Sequence, residues 1–202
     1  PDTDFIDINA DGLPDVINTG ASKHTYWLNQ GLDDNQEVSF SPMERMGTYT
    51  RLKLSDKRVK WADVDGNGRV DILTLTSVSG QSYSLNTSHS WEVSARYGRT
   101  GINADSDSAK IVDLNNDRLP DIFTTNSSSS GTVHSHTISV NNGNGWDIAT
   151  TMQMPFGSEG VKLGSPDTFL ADINGDNLSD LIHIGRTKMT YFPGKGVNGF
   201  GD

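Results

Sequence analysis

The sequence predicts an all-β protein assembled from about four copies of one structural unit. The first observation is a nine-residue motif rich in Asp, Asn and Gly, which occurs four times in 202 residues, at 7–15, 63–71, 113–121 and 172–180. The second is that every copy lies between two short apolar runs with the length and composition of β-strands. The third is the absence of a sustained helical periodicity.

Each motif is expected to be the loop of a strand–loop–strand unit. Phe5–Ile6 precedes the first copy and Val16–Ile17 follows it. Alternating segments after each unit predict a third strand, and each ends in a turn rich in Asn and Gly: Thr25–Leu28 with Asn29–Gly31, Ser82–Leu85 with Asn86–Ser88, and Thr137–Val140 with Asn141–Gly143. The copies start 56, 50 and 59 residues apart. A period of this size with several strands per repeat is typical of β-propeller blades, so residues 1–202 are expected to form a single β-propeller region.

The motif has the chemistry of a cation site. Asp or Asn occupies its first, third, fifth and ninth positions, and the seventh position can offer a backbone carbonyl. Ca²⁺ binds six to eight hard oxygen atoms, which are the ligands that such a loop supplies. We therefore expect one Ca²⁺ per loop, about four per chain, bound by Asp7, Asn9, Asp11, Leu13, Asp15, Asp63, Asp65, Asn67, Arg69, Asp71, Asp113, Asn115, Asp117, Leu119, Asp121, Asp172, Asn174, Asp176, Leu178 and Asp180.

Net charge gives a second reason to expect the ions. Twelve of the 26 acidic residues lie in the four motifs, where carboxylates repel one another unless a cation lies among them. Four Ca²⁺ ions would change the formal net charge from −10 to −2. Mg²⁺ is disfavoured because it dehydrates reluctantly and is rarely held by protein ligands alone.

The sixth motif position is expected to need a left-handed backbone conformation. Gly12 and Gly68 adopt that conformation readily and Asn177 tolerates it, whereas Arg118 does so at a cost of about 1 kcal/mol. The third loop should therefore be the weakest site. An ordinary turn without metal is the alternative interpretation, above all for this third copy.

Several classes of protein are disfavoured. The chain has no Cys, which excludes disulfides and thiol catalysis. Its acidity argues against nucleic acid and anionic membranes as partners, and no apolar run is long enough for membrane insertion. An EF-hand would need Glu at the twelfth position, where the four copies have Asn18, Thr74, Thr124 and His183. No catalytic constellation is visible, so an enzyme is not expected.

Two features outside the motifs could bind ligands. His134 and His136 alternate and would share one face of a strand, where a zinc pair is conceivable but an exposed strand is the preferred interpretation. Trp27, Trp91 and Trp146 are expected to pack in the core, with sugar stacking as the alternative.

The repeated loops, followed by a strand and by Asn141–Trp146 or Gly196–Gly201, resemble the FG-GAP/VCBS repeats. That resemblance implies calcium-binding β-propellers and a secreted or extracellular location. Thr25–Gly31 and Thr190–Gly196 are most similar to propeller segments of insecticidal toxin-complex B components and SpvB-like toxins. The second copy departs from the family pattern at its turn and the third at its loop glycine.

The expected function is that of a calcium-stabilised structural and protein-interaction module in a large secreted or toxin-type protein. Its partners would be neighbouring blades or other protein chains. The alternative is a propeller lectin that binds glycans over aromatic residues. Segments equivalent to Phe40–Gly47 and Tyr49–Leu54 do not follow the fourth repeat, so we expect the chain to be an arc of a larger propeller.

Overall fold

The computed structural model describes residues 2–75, 82–92, 95–96, 109–127, 133–143, 145–152 and 161–201. Seventeen β-strands account for the regular structure of this part of the chain. No helix in it is long and apolar enough to cross a membrane. The strands are β1 (Thr3–Ile6), β2 (Asp15–Asn18), β3 (Thr25–Trp27), β4 (Asn29–Leu32), β5 (Val38–Phe40), β6 (Glu44–Arg45), β7 (Val59–Ala62), β8 (Asp71–Thr74), β9 (Ser82–Ser84), β10 (Ala95–Arg96), β11 (Ala109–Val112), β12 (Asp121–Ser127), β13 (Val133–Ser139), β14 (Thr150–Thr151), β15 (Thr168–Ala171), β16 (Asp180–Ile184) and β17 (Met189–Phe192).

Four antiparallel sheets repeat one connectivity. Sheet 1 has the order β1-β2-β3-β6, sheet 2 β7-β8-β9-β10, sheet 3 β11-β12-β13-β14, and sheet 4 the order β15-β16-β17, while β4 and β5 form a separate hairpin. In every sheet the nine-residue motif connects the first strand to the second. The predicted all-β class and the strand–loop–strand unit are therefore confirmed.

Each sheet has two faces. We call them the tenth-position face and the eleventh-position face, after the first and second residues that follow the nine-residue motif in the second strand. Successive residues of a strand point to opposite faces, so the tenth and eleventh positions lie on different sides of the sheet. In sheet 1 the cross-strand rows are Phe5–Val16–Trp27 on the tenth-position face and Asp4–Ile17–Tyr26 on the eleventh-position face.

The described residues divide into two compact units. The first comprises 2–75, 82–92 and 95–96, and contains sheets 1 and 2. Its core brings Ile17 and Tyr26, from the eleventh-position face of sheet 1, together with Val59 and Ile72 of sheet 2. Ile72 lies on the tenth-position face of its sheet. Burial of these apolar side chains is the main favourable contribution to the stability of the unit.

The second unit contains sheets 3 and 4. Phe123 and Ile138, on the eleventh-position face of sheet 3, share a core with Leu181 and Phe192, on the tenth-position face of sheet 4. Phe200 joins this core, with its ring centroid 5.7 Å from that of Phe123. Both units therefore use the same pairing of sheet faces.

The third strands lie where the alternation predicts them, at β3, β9 and the second half of β13. Asn29–Gly31, where a turn was predicted, lies within β4, although the Asn29 side chain accepts the Gly31 N–H at 2.9 Å and Gly31 has a φ of +75°. The strand forms because Val38–Phe40 offers it a partner, and the register between them is irregular. Such a partner strand cannot be recognised in the composition of the Asn-Gln-Gly segment itself.

Candidate calcium loops

The ninth residue of each motif is the best-defined carboxylate of the loops. Asp15, Asp71, Asp121 and Asp180 are all fully buried at the start of the second strand of their sheets. In each, one oxygen accepts a hydrogen bond at 2.8–3.0 Å from the N–H of the second motif residue. The other accepts one at 2.7–2.9 Å from an N–H just beyond the third strand. This aspartate thus connects the loop to the third strand.

These strand-end donors are Asn29, Asn86, Asn141 and Gly194, and sequence reasoning did not assign them a role. In the first three copies the Asn side chain also accepts the N–H two residues later, at 2.7–3.0 Å. Asn turns at corresponding places in three repeats were the available signal. Their bond to the ninth aspartate follows from strand register, which the sequence does not specify alone.

Burial raises the pKa of Asp15, Asp71 and Asp121. Loss of solvent raises the pKa of Asp71 to about 6, against the opposing effect of the two N–H groups that stabilise its ionised form. The same cause raises the pKa of Asp121 to about 6, and the pKa of Asp15 is also raised. The neighbouring carboxylates of each loop add to the increase. A cation beside these groups would favour their charged form.

The first aspartate of each motif organises the loop backbone. One Asp7 oxygen accepts the N–H of Ala10 at 2.7 Å, and the other accepts that of Gly12 at 2.8 Å. In the other copies the first aspartate likewise bonds the sixth residue, at 2.8–3.0 Å. The chain therefore curls around this carboxylate.

The third and fifth positions continue the same pattern. In all four loops the third side chain accepts the N–H of the fifth residue at 2.8–3.2 Å. The fifth side chain accepts the N–H of the seventh residue at 2.8–2.9 Å. The seventh residues, Leu13, Arg69, Leu119 and Leu178, thus place their backbone beside the fifth side chain. In each loop, side chains at alternate positions therefore accept backbone N–H groups of the same loop.

The second loop contains the densest group of carboxylates. One oxygen each from Asp63, Asp65 and Asp71 lie within 4.8 Å of one another. Three ionised groups at this distance repel strongly, and a divalent cation among them removes the repulsion. Carboxylate oxygens are the hard donors that Ca²⁺ takes, so the residues present fit the ion.

The backbone of the loops is left-handed at two positions. At the sixth position φ is +84° for Gly12, +88° for Gly68, +71° for Arg118 and +66° for Asn177, as the motif predicts. The fourth position is also left-handed, with φ of +64° at Ala10 and +61° at Asn116. The sequence did not reveal that the fourth position is left-handed, because only two of the four copies have Gly there, Gly66 and Gly175.

The His and Trp side chains have mainly structural surroundings. His136 is only 2 % exposed, so the predicted exposed strand was wrong at this residue, whose ring lies against Phe123 in the core. The side chain of His134 lies outside the described residues. Trp91 and Trp146 are 2 % and 6 % exposed, which confirms the prediction that they are core residues. Trp27 is half-buried.

These features define a class of protein, namely a repeat module in which each antiparallel sheet carries one acidic loop. Residues 7–74 match the profile of the FG-GAP-like repeat, which covers the first two loops. Residues 7–74 are thus similar to the FG-GAP-like repeat, and the predicted resemblance is confirmed over this part of the chain. No curated protein matches the chain significantly in sequence.

Two solved structures share the fold. A chain of the Photorhabdus luminescens Tc holotoxin pore is 18 % identical, with a TM-score of 0.72 over 100 % of this chain and 9 % of that one. An Agrocybe aegerita lectin, which recognises non-reducing terminal N-acetylglucosamine, is 19 % identical, with a TM-score of 0.70 over 98 % of this chain and 50 % of the lectin. The chain is thus much shorter than either relative. The predicted β-propeller fold is confirmed.

Proposed function

We propose that the chain is a calcium-stabilised β-propeller module with a structural and protein-interaction role in a large secreted or toxin-type protein. The observation that carries this proposal is the convergence of Asp63, Asp65 and Asp71 in a loop whose pattern recurs four times. The likeness to a Tc holotoxin chain supports the larger context. No catalytic role is proposed.

The ion would act on the connection between the loop and its sheet. Side-chain oxygens of the first, third, fifth and ninth positions would hold it, together with the seventh carbonyl. The ninth aspartate begins the second strand and also accepts an N–H just beyond the third strand. An ion that orders the loop would therefore also hold these two strands in place. A ligand that binds only the folded state stabilises it by mass action.

Thermal unfolding tests the proposal. Millimolar Ca²⁺ should raise the Tm above its value in EDTA by about 10 °C, since four sites of extracellular-type affinity would each contribute about 1 kcal/mol. Asp65→Asn should reduce this shift. Asp34→Asn, which changes an exposed acid outside the loops, should leave it intact. An equal Tm in Ca²⁺ and EDTA would contradict the proposal.

Carbohydrate binding is the second candidate, favoured by the likeness to the Agrocybe aegerita lectin. Trp91 and Trp146 do not support it, because both are buried and offer no free ring face to a sugar. A glycan array containing terminal N-acetylglucosamine separates the two functions. Multivalent binding would favour the lectin, and no binding would favour the structural module.

A further inference from the structure

One buried side chain joins the first and second loops. Asn86 lies just beyond the third strand of sheet 2, and its Nδ2 donates to the Ile8 carbonyl at 2.9 Å. Ile8 is the second residue of the first motif, between the candidate ligands Asp7 and Asn9. The bond therefore crosses from sheet 2 to the backbone of the first loop.

Both ends of this connection reach the buried carboxylate of a loop. The Asn86 backbone N–H donates to one oxygen of Asp71 at 2.8 Å. The Ile8 N–H donates to one oxygen of Asp15, also at 2.8 Å. A continuous series of contacts thus runs from the ninth aspartate of the second loop, through Asn86 and Ile8, to the ninth aspartate of the first loop.

The equivalent residue of sheet 1 lacks such a bond in the described part of the chain. The Asn29 backbone N–H donates to Asp15, as that of Asn86 does to Asp71. The Asn29 Nδ2 donates at 3.1 Å to the carbonyl of Pro14, which belongs to the same loop as Asp15. Asn86 therefore adds a bond to a neighbouring loop to contacts that the two residues otherwise share.

The second unit connects its loops differently. Gly194 occupies the position equivalent to Asn86, and a Cβ there would clash with the Ser179 carbonyl oxygen, so a side chain does not fit. The Ser179 hydroxyl donates instead to the Asp113 carbonyl at 3.3 Å, which is long for an O–H donor. The shorter, buried bonds of Asn86 make the first unit the stronger candidate for communication between loops.

We propose that Asn86 couples Ca²⁺ binding at the first loop to Ca²⁺ binding at the second, so that each ion raises the affinity for the other. Binding at one loop orders its backbone, and the Asn86 bonds then hold the neighbouring loop closer to its bound conformation. The second ion therefore has less of the chain to order and binds more tightly. This inference rests on the calcium role proposed above and assigns Asn86 as a positioning residue rather than a ligand.

Amide NMR spectra of the 202-residue chain during a Ca²⁺ titration test the coupling loop by loop. The N–H groups of Gly12, Gly68 and Gly175 donate to the first aspartate of the first, second and fourth loops, so each reports on one site. Asp65→Ala removes a candidate ligand of the second loop and should weaken the Ca²⁺ affinity measured at Gly12 about fivefold. The affinity measured at Gly175, in the other unit, should not change.

A second pair of variants tests the role of Asn86. In an Asn86→Ala background, Asp65→Ala should no longer change the affinity measured at Gly12. Asn29→Ala is the matched control, because it removes the equivalent side chain without removing a bond between loops. The fivefold effect of Asp65→Ala should persist in that background.

Three results would overturn the proposal. The first is an affinity at Gly12 that Asp65→Ala leaves unchanged in the otherwise unmodified chain, a comparison that does not require Asn86→Ala to fold. The second is an equal loss of affinity at Gly12 and Gly175, which would show coupling through the whole chain. The third is a fivefold effect that persists in Asn86→Ala. Failure of the proposed calcium role is distinguishable, because then none of the glycine signals would respond to Ca²⁺.

Discussion

At the residue scale, the left-handed positions of the loops carry a measurable cost. Ala10 and Arg118 have φ of +64° and +71°, where a Cβ approaches the following carbonyl oxygen. This conformation costs an L-residue roughly 1–2 kcal/mol, whereas Gly adopts it freely. Gly also gives the unfolded chain more conformational entropy, which lowers the free energy of unfolding by about 0.4–1 kcal/mol. The strain is the larger effect.

Ala10→Gly and Arg118→Gly should therefore each stabilise the fold by up to about 1 kcal/mol. Urea unfolding in the presence of Ca²⁺ measures the change. Ala21→Gly is the control, because Ala21 is exposed and its φ is not positive, and it should be neutral or destabilising. Destabilisation by Ala10→Gly as large as that of the control would show that the fourth position stores no strain.

The sequence identified only half of this backbone requirement. Gly, Arg and Asn at the sixth position already suggested a turn in which Arg118 was unfavourable. The fourth position, occupied by Ala10, Gly66, Asn116 and Gly175, carried no consistent signal because Ala has no preference for the left-handed region. In the first, third and fourth loops the N–H of this residue donates to the first aspartate at 2.7 Å, a contact that favours the left-handed conformation.

His136 is a second residue whose surroundings determine a measurable property. Its ring is buried, and burial lowers its pKa to about 4 because the charged form loses water. Nδ1 lies 3.2 Å from the Thr125 hydroxyl, and Nε2 has no hydrogen-bond partner in the described part of the chain. The neutral ring is therefore the form that the fold accommodates.

This pKa predicts acid sensitivity between about pH 6.5 and pH 4. In that window the unfolded state binds a proton on His136 and the folded state does not, so stability falls as the pH falls. The stability that depends on a neutral His136 ring is fully present above pH 6.5. The free energy of unfolding is lower by roughly 3 kcal/mol near pH 4. His136→Phe should remove this part of the pH dependence. Unfolding free energies of both proteins across the window test it, and parallel curves would contradict it.

At the element scale, the strand–loop–strand unit could be predicted because its signals are local. Apolar runs flank each motif, and β-branched and aromatic residues fill them. The fourth strands were not predicted, since Glu44–Arg45 and Thr150–Thr151 are two residues long and have no pattern. Their pairing with β3 and β13 depends on tertiary structure.

The ninth aspartate acts at this scale, because it joins a loop to a strand regardless of the ion. Asp121 accepts backbone N–H groups on both oxygens, from Leu114 at 3.0 Å and from Asn141 at 2.9 Å. An Asn side chain would turn one acceptor into an N–H donor facing another donor. Leaving buried polar groups unsatisfied costs about 1–3 kcal/mol for each group.

Asp121→Asn should therefore destabilise the protein by roughly 2–4 kcal/mol in both EDTA and Ca²⁺. Asp117→Asn changes an exposed candidate ligand of the same loop, so its effect should be confined to Ca²⁺. Chemical unfolding of both variants in the two buffers separates the roles. A loss of stability in Asp121→Asn only when Ca²⁺ is present would show that its hydrogen bonds are not structural.

At the scale of the whole molecule, the uneven distribution of acidic residues determines where electrostatic repulsion is strongest. Nearly half of the acidic residues are concentrated in four short loops of a chain with net charge −10. Within the described ranges, most other charged residues are exposed, and water and salt screen them. The repulsion is therefore localised in the loops, and cations bound there would relieve it.

The last prediction is the number and order of these ions. Native mass spectrometry during a Ca²⁺ titration should show up to about four bound ions, with the third loop filled last. That loop combines left-handed Asn116 and Arg118, and Arg118 adds a positive charge that the other sixth positions lack. Arg118→Gly should therefore strengthen the weakest step, while Arg51→Gly, which removes an exposed charge outside the loops, should not. Binding of no more than one ion would contradict the prediction that all four loops bind Ca²⁺. An unchanged affinity for the last ion in Arg118→Gly would contradict the prediction that the third loop is the weakest site.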